Sequence, residues 1–198
     1  MRLSTLASFA TLATLVLGAP PSGRSKMPPR QRDQGVSLGL LAKRDCGEGF
    51  QRVCYGPDSG TSQNLDPEDI QYVASYLRFQ ADGKETSPIW NMPSEFQCSE
   101  WSIEILGTGT VLALVKHINP RTNSGLSFND LARTIDGRPD ATDEQRAKSL
   151  WGGCKTNGGQ LGVIVDLKDP AYNTTDYITK KMKPADLIVK LVRAKSPK

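Results

Sequence analysis

The pattern of apolar and polar residues is clearest between residues 98 and 118. Apolar and polar side chains alternate from Trp101 to Ile105, and the run VLALV begins at Val111 after a stretch with two glycines. Alternation, a turn and a second apolar run predict a β-hairpin. Because neighbouring side chains from Val111 to Val115 are all apolar, we expect the second strand to be central and covered on both faces.

Two segments have the apolar spacing of a helix. The first runs from Pro67 to Gln80, with Asp66 as N-cap and proline at the first helical position. The second follows Ser127, has Asp130 at the capping-box position and ends at Gly137. The spacing therefore predicts two amphipathic helices, which need an apolar surface to cover.

The rest of the chain supplies the other strands of the predicted sheet. Residues 50–55, 161–167 and 187–193 are predicted strands, residues 143–150 a short helical continuation, and residues 88–93 an extended loop bounded by prolines. The resulting order is β-α-β-β-α-β-β. It predicts an α+β fold, a mostly antiparallel sheet with two helices packed on one face.

The first 44 residues differ in composition from the rest. A basic residue and a short apolar run with small residues at its end predict a signal peptide over residues 1–18. Residues 19–44 are rich in Pro, Gly, Ser and basic side chains and end in Lys43-Arg44, a pair that a kexin-type protease cuts. We interpret them as a disordered propeptide, and residues 45–198 as one mature domain. The alternative is a basic arm that stays attached.

The net charge changes once that segment is set apart. The chain has a formal charge of +4, but residues 1–44 hold seven of the 25 Lys and Arg and one of the 21 Asp and Glu. Residues 45–198 therefore have 18 basic and 20 acidic side chains, a charge of about −2. We expect no nucleic-acid partner for the mature domain. No stretch has the length of a transmembrane helix, so a secreted, extracellular protein without a transmembrane segment is predicted.

The number and position of the cysteines agree with secretion. All four, Cys46, Cys54, Cys98 and Cys154, follow the dibasic pair, and in the secretory route an even number predicts disulfide bridges. Two bridges leave three pairings open. We expect no metal site and no cofactor, since no CxxC pair occurs and the chain has a single histidine. Asn173 begins an Asn-Thr-Thr glycosylation acceptor and is predicted to face solvent.

The candidate chemistry is sparse. His117 with Glu104 and Arg121 would supply the base, acid and cation of a ribonuclease-like site, but their spacing does not bring them together. We assign no catalytic residue. Trp90 could stack on a sugar ring, although we interpret Trp90 and Trp101 as core. Two tyrosines, Tyr72 and Tyr76, are interpreted as a partly buried helix flank rather than a ligand platform.

The order of these features resembles a known family. Cys98, Trp101, Ile103, Cys154 and Gly162-Val163 follow the pattern of the small secreted cysteine-containing effectors of filamentous fungi, especially the necrosis-inducing extracellular type. The architecture is also similar to the killer toxins of smut fungi. The family's helix commonly follows its cysteine, whereas here a strand follows Cys98.

This resemblance implies a secreted effector or toxin-like protein that acts outside the cell by binding a host or competitor target, either a protein or a cell-surface glycan. We expect a non-enzymatic role. The alternatives are a secreted ribonuclease-like enzyme and a protein that binds cell-wall glycans.

Overall fold

The computed structural model describes residues 46–83, 87–92 and 97–195. The predicted signal peptide and the predicted propeptide with its Lys43-Arg44 end lie outside these ranges. Within them, an antiparallel five-stranded sheet packs against helices. The predicted α+β class is therefore confirmed.

Seven strands and five helices follow one another along the described residues. The strands are β1 (Val53–Cys54), β2 (Ile89–Asn91), β3 (Glu100–Ser102), β4 (Val111–His117), β5 (Gly125–Ser127), β6 (Gly159–Gly162) and β7 (Leu187–Arg193). The helices are α1 (Pro67–Asp82), α2 (Phe128–Asp136), α3 (Asp143–Lys148), α4 (Leu150–Cys154) and α5 (Thr175–Thr179). Two 3₁₀ turns, Lys155–Asn157 and Pro170–Asn173, connect the later elements.

The main sheet has the strand order β1-β6-β7-β4-β3, and each neighbouring pair is antiparallel. The predicted hairpin is β3 with β4, and β4 lies inside the sheet, as expected. Its burial alternates, however: Val111, Ala113 and Val115 are buried, while Leu112 and Leu114 are only partly buried. One face of β4 is thus fully covered and the other only in part.

The fully covered face packs against α1 and α2. Asp66 caps α1 by accepting from the Glu68 N–H, and Ser127 caps α2 by accepting from the Asp130 N–H. Gly137 ends α2 with a φ of 89°, a left-handed conformation that glycine adopts without strain. The apolar stripes of both helices and the inner residues of β4 and β7 form one core.

The predicted element order is incomplete. The proline-bounded loop contains β2, which pairs with β5 in a separate two-stranded ribbon, and α4 and α5 were not predicted. The first strand shrinks from residues 50–55 to β1. The predicted strand 161–167 is displaced to β6. The Val163 N–H still donates to the Leu187 carbonyl oxygen, but the Ile164 N–H donates to Thr134 Oγ1 of α2 at 2.8 Å, so the pairing with β7 ends there.

Two disulfides join distant parts of the chain. Cys46 pairs with Cys98, and Cys54 pairs with Cys154, so the bridges link positions 52 and 100 residues apart. This selects one of the three pairings that the sequence left open. None of the helices in the described ranges is long and apolar enough to cross a bilayer.

Candidate functional site

A surface cleft of about 370 Å³ lies between α1, β2, β3 and the start of α2. We call it the aromatic cleft, and its lining combines four aromatic rings, two aliphatic and three polar side chains: Tyr76, Leu77, Gln80, Trp90, Trp101, Ser102, Ile103, Glu104 and Phe128. Sites for small ligands are mostly apolar clefts with a few polar groups and volumes of roughly 300–1,000 Å³. The aromatic cleft has this composition and lies within this range of volume.

Both tryptophans of the cleft are held by short strands. Trp90 lies in β2 opposite the buried Leu126, and Trp101 lies in β3 opposite the buried Val115. Each is half-buried and packs against the core. Their interpretation as core residues is therefore correct for one part of each ring, while the remaining part borders the cleft.

A row of aromatic rings on α1 extends the cleft along the surface. The ring centroids of Tyr72 and Tyr76 are 6.2 Å apart, and those of Tyr76 and Phe79 are 6.4 Å apart. We call these three residues the aromatic row. Tyr72 is 43% exposed and Phe79 is 70% exposed. The row is consequently more open than the partly buried helix flank that the sequence predicted, and contiguous exposed apolar patches are typical of binding sites.

The loop after β3 completes this surface. The Tyr72 hydroxyl donates to the Leu106 carbonyl oxygen at 3.0 Å, and the Leu106 side chain is 83% exposed. Gly107 has a φ of 77°, and a Cβ added to it would lie 3.6 Å from the Tyr72 hydroxyl. The loop thus packs closely on the aromatic row at the end opposite Phe79.

Three polar side chains of the cleft have unused hydrogen-bonding capacity. Gln80 is half-buried, and Ser102 and Glu104 are exposed. No side chain or backbone group in the described ranges forms a hydrogen bond or an ion pair with the side chains of these three residues. An amide, a hydroxyl and a carboxylate therefore stand beside the aromatic rings ready to bind a ligand.

The predicted ribonuclease-like residues are not brought together. His117 is fully buried on the core face of β4, whereas Glu104 and Arg121 are exposed. The β3–β4 register places Ser102 opposite Leu114, so its continuation puts Glu104 roughly 16 Å from His117 at about 3.3 Å per residue.

The surroundings of His117 favour the neutral imidazole. Its Nδ1 lies 3.2 Å from the Gln97 carbonyl oxygen, so Nδ1 holds the proton and donates it, and Nε2 has no partner among the described residues. Burial lowers the pKa of His117 below its ordinary value, against the opposing effects of Gln97 and Asp186. A buried ring of this kind has no access to a substrate.

A second polar centre, which the sequence did not indicate, surrounds Asp130. This carboxylate is fully buried and accepts from the Tyr172 hydroxyl at 2.6 Å, from Arg133 Nη1 at 2.8 Å and from the Asp166 N–H at 3.1 Å. The Tyr172 oxygen in turn accepts from the Ser127 N–H at 3.0 Å. We call these residues the Asp130 network.

The Asp130 network is internally satisfied. Burial raises the pKa of Asp130, while the hydrogen bonds from Tyr172 and from the Asp166 N–H oppose the rise. The bonds to Tyr172 and Asp166 join α2 to the segment that follows β6. Asp130 therefore ties these parts of the chain together and does not act as the side-chain half of the predicted capping box.

Charged side chains line two further cavities of about 230 and 380 Å³, which share Arg133, Arg138 and Asp166. Their guanidinium groups are already paired: Arg133 with Asp166 and with the Asp130 network, Arg138 with Asp140, and Arg78 with Asp136. Since its guanidinium groups are already paired within the protein, this region is a weaker candidate for a ligand site than the aromatic cleft.

The outer face of the sheet holds an ion-pair cluster around the buried Lys190. Lys190 Nζ lies 2.6 Å from Glu48 Oε1 and 2.6 Å from Glu100 Oε1, and Lys116 Nζ lies 2.7 Å from Glu48 Oε2. Burial acts to lower the pKa of Lys190, but the hydrogen bonds and charges of Glu100 and Glu48 outweigh it and raise the pKa. The cluster fastens the segment after Cys46 across the sheet.

The predicted glycosylation acceptor has a defined position. Asn173 is exposed at the end of a 3₁₀ turn, as the prediction requires, although glycosylation itself stays a prediction.

Comparison with protein-family models, with curated proteins and with solved structures finds no match to this chain.

Proposed function

We propose that this protein is a secreted effector or toxin-like protein that acts outside the cell by binding a host or competitor target, with the aromatic cleft and the aromatic row as its binding surface. The observation that carries the proposal is the exposure of this surface. Half-buried Trp90, the 70% exposed Phe79 and three unpartnered polar side chains of the described ranges belong to one continuous surface.

The remaining features support this proposal. Two disulfides suit an oxidising extracellular environment, and the predicted leader with its dibasic end suits secretion and processing. The ribonuclease-like alternative gains no such support, because His117 is buried in the core and lies far from Glu104 along the β3–β4 pairing.

The proposal is tested by infiltrating the purified secreted protein into plant tissue and applying it to competing fungal cultures. We expect cell death or growth arrest in one of these assays. Trp90→Ala and Phe79→Ser should reduce the response, because each removes an aromatic side chain from the binding surface.

Leu167→Ser is the matched control, since Leu167 is 75% exposed and does not line the aromatic cleft. A response that is equal in wild type and in both cleft variants contradicts the proposal. So does RNA cleavage that is abolished by His117→Ala, and so does the absence of a response in both assays.

A further inference from the structure

We propose that the ligand of the aromatic cleft is an uncharged polysaccharide chain. The inference rests on the proposed function, in which the aromatic cleft is the binding surface, and adds the chemical class of the ligand. The juxtaposition that supports it is a set of aromatic rings lining the cleft beside an amide, a hydroxyl and a carboxylate that have no partner in the described ranges.

The charge of the cleft disfavours an anionic ligand. Among the described residues that line it, Glu104 is the one carboxylate, and none is a lysine or an arginine. The lysines nearest to β3 in the strand pairing, Lys116 and Lys190, are engaged by Glu48 and Glu100. An acidic polysaccharide or a nucleic acid would therefore meet a carboxylate and no free cation from the described part of the lining.

The mixture of groups matches a sugar better than an apolar peptide. A pyranose ring presents C–H groups on its faces and hydroxyl groups around its rim, so it needs flat apolar surfaces flanked by donors and acceptors. Trp90 supplies such a surface, because its side chain is only half-buried. An apolar peptide would leave Gln80, Ser102 and Glu104 without hydrogen bonds on binding, which costs free energy.

The aromatic row indicates a chain rather than a single sugar. From Tyr72 to Phe79 the helix rises roughly 10 Å, at about 1.5 Å per residue. The three rings of the row are spaced at 6.2 and 6.4 Å, and Tyr76 belongs both to the row and to the lining of the cleft. A ligand seated in the cleft therefore has a continuous aromatic surface along which further sugar units can lie.

The test uses the purified secreted protein and four insoluble polymers: chitin, cellulose, β-1,3-glucan and cross-linked polygalacturonate. We expect co-sedimentation with at least one of the three uncharged polymers and none with polygalacturonate. A soluble oligosaccharide of the bound polymer should change the tryptophan fluorescence, because two of the three tryptophans of the chain line the cleft.

Two variants, one that removes an aromatic ring and one that removes only a polar group, separate a loss of binding from a loss of folding. Trp90→Ala should weaken binding by about tenfold or more, the usual result of truncating a central aromatic contact. Gln80→Ala leaves every ring in place, and we expect it to weaken binding by a few fold because it removes one hydrogen-bonding group. Leu167→Ser, outside the cleft, should bind as wild type does.

Three outcomes overturn the inference. They are the absence of binding to all three uncharged polymers, preferential binding to polygalacturonate, and binding that Trp90→Ala and Gln80→Ala leave unchanged. Cleft-dependent activity in the tissue or culture assay without any glycan binding would reject only the ligand class, and would point to a protein target. If neither glycan binding nor activity depends on the cleft, the proposed function fails as well.

Discussion

The aromatic cleft and the Asp130 network are both built from aromatic and polar side chains, but they use their hydrogen-bonding groups differently. In the network, the carboxylate of Asp130, the hydroxyl of Tyr172 and the N–H of Asp166 satisfy one another inside the protein. In the cleft, the side chains of Gln80 and Glu104 have no partner in the described ranges.

The difference separates stability from binding. A buried polar group that lost its partner would destabilise the fold, so the network is expected to contribute to stability. Polar groups at the cleft are hydrated in the free protein, so their removal costs little stability and acts on binding instead. Substitutions in the Asp130 network should therefore lower the free energy of unfolding, and substitutions in the aromatic cleft should lower binding.

The largest effect is expected for Asp130→Ala. The change removes the acceptor of the Tyr172 hydroxyl and one of the two carboxylates that pair with Arg133, and loss of one member of a buried charged network costs roughly 3–5 kcal/mol in free energy of unfolding. Urea denaturation measures this difference. The matched control is Asp176→Ala, which breaks the exposed pair with Lys180 and should cost about 0–1 kcal/mol. Equal losses in the two variants would contradict a structural role of the network.

Tyr172→Phe should have the next largest effect. It removes the hydroxyl that donates to Asp130 and accepts from the Ser127 N–H, and an unsatisfied buried partner costs about 1–3 kcal/mol. Tyr72→Phe removes a hydroxyl at the exposed surface and should change the free energy of unfolding by less than about 0.5 kcal/mol. A Tyr172→Phe variant as stable as wild type would show that the hydroxyl does not support the fold.

Because His117 is buried as a neutral ring, we expect the protein to lose stability in mild acid. Its folded-state pKa is lowered, whereas the unfolded chain takes up the proton near pH 6.5. The unfolded state therefore binds more protons below about pH 6.5, so the contribution of His117 is complete above that pH and is lost as the pH falls toward the folded-state pKa.

Urea denaturation of wild type and His117→Asn between about pH 7.5 and 5.5 checks this. The chain has one histidine, and the amide of asparagine can donate in place of Nδ1 without titrating. The difference in stability between the two proteins should shrink as the pH falls. Asp130, whose pKa is raised, makes the folded state more stable as the pH falls, but this contribution is the same in both proteins and cancels in the difference. A constant difference would mean that His117 titrates alike in both states.

The smallest effect on stability is expected for Phe79→Ser. This side chain is 70% exposed, so the free energy of unfolding should change by less than about 0.5 kcal/mol. The same substitution should nevertheless lower binding and activity. Thermal unfolding and the activity assay, made on one preparation, measure stability and activity. A large drop in stability would mean that Phe79 contributes to the core.

The sequence predicted those parts of the fold that depend on local pattern. The caps Asp66 and Ser127, the αL residue Gly137 and the strand Leu187–Arg193 were all predicted at or near their observed positions. Each is determined within a few residues, either by a hydrogen bond to the next turn or by a nearly uninterrupted apolar run.

Features that depend on distant partners were missed. β2 has three residues and no alternation, and it forms because β5 pairs with it. From Ile164 onward the backbone bonds to side chains of α2, which no local pattern reveals. The sequence placed Asp130 at a capping-box position that its side chain does not serve, and its bond to Tyr172, 42 residues away, could not be predicted from the sequence. The aromatic cleft is likewise assembled from four separate segments, so its tryptophans were assigned to the core.

The most direct test of the central claim, that the aromatic cleft and row are the binding surface, compares Phe79→Ser with Leu167→Ser in a dose–response series. The two side chains are 70% and 75% exposed, and they differ in whether they adjoin the cleft. We predict that both variants unfold at the temperature of the wild type and that only Phe79→Ser loses activity. Equal activity of the two variants would contradict the account.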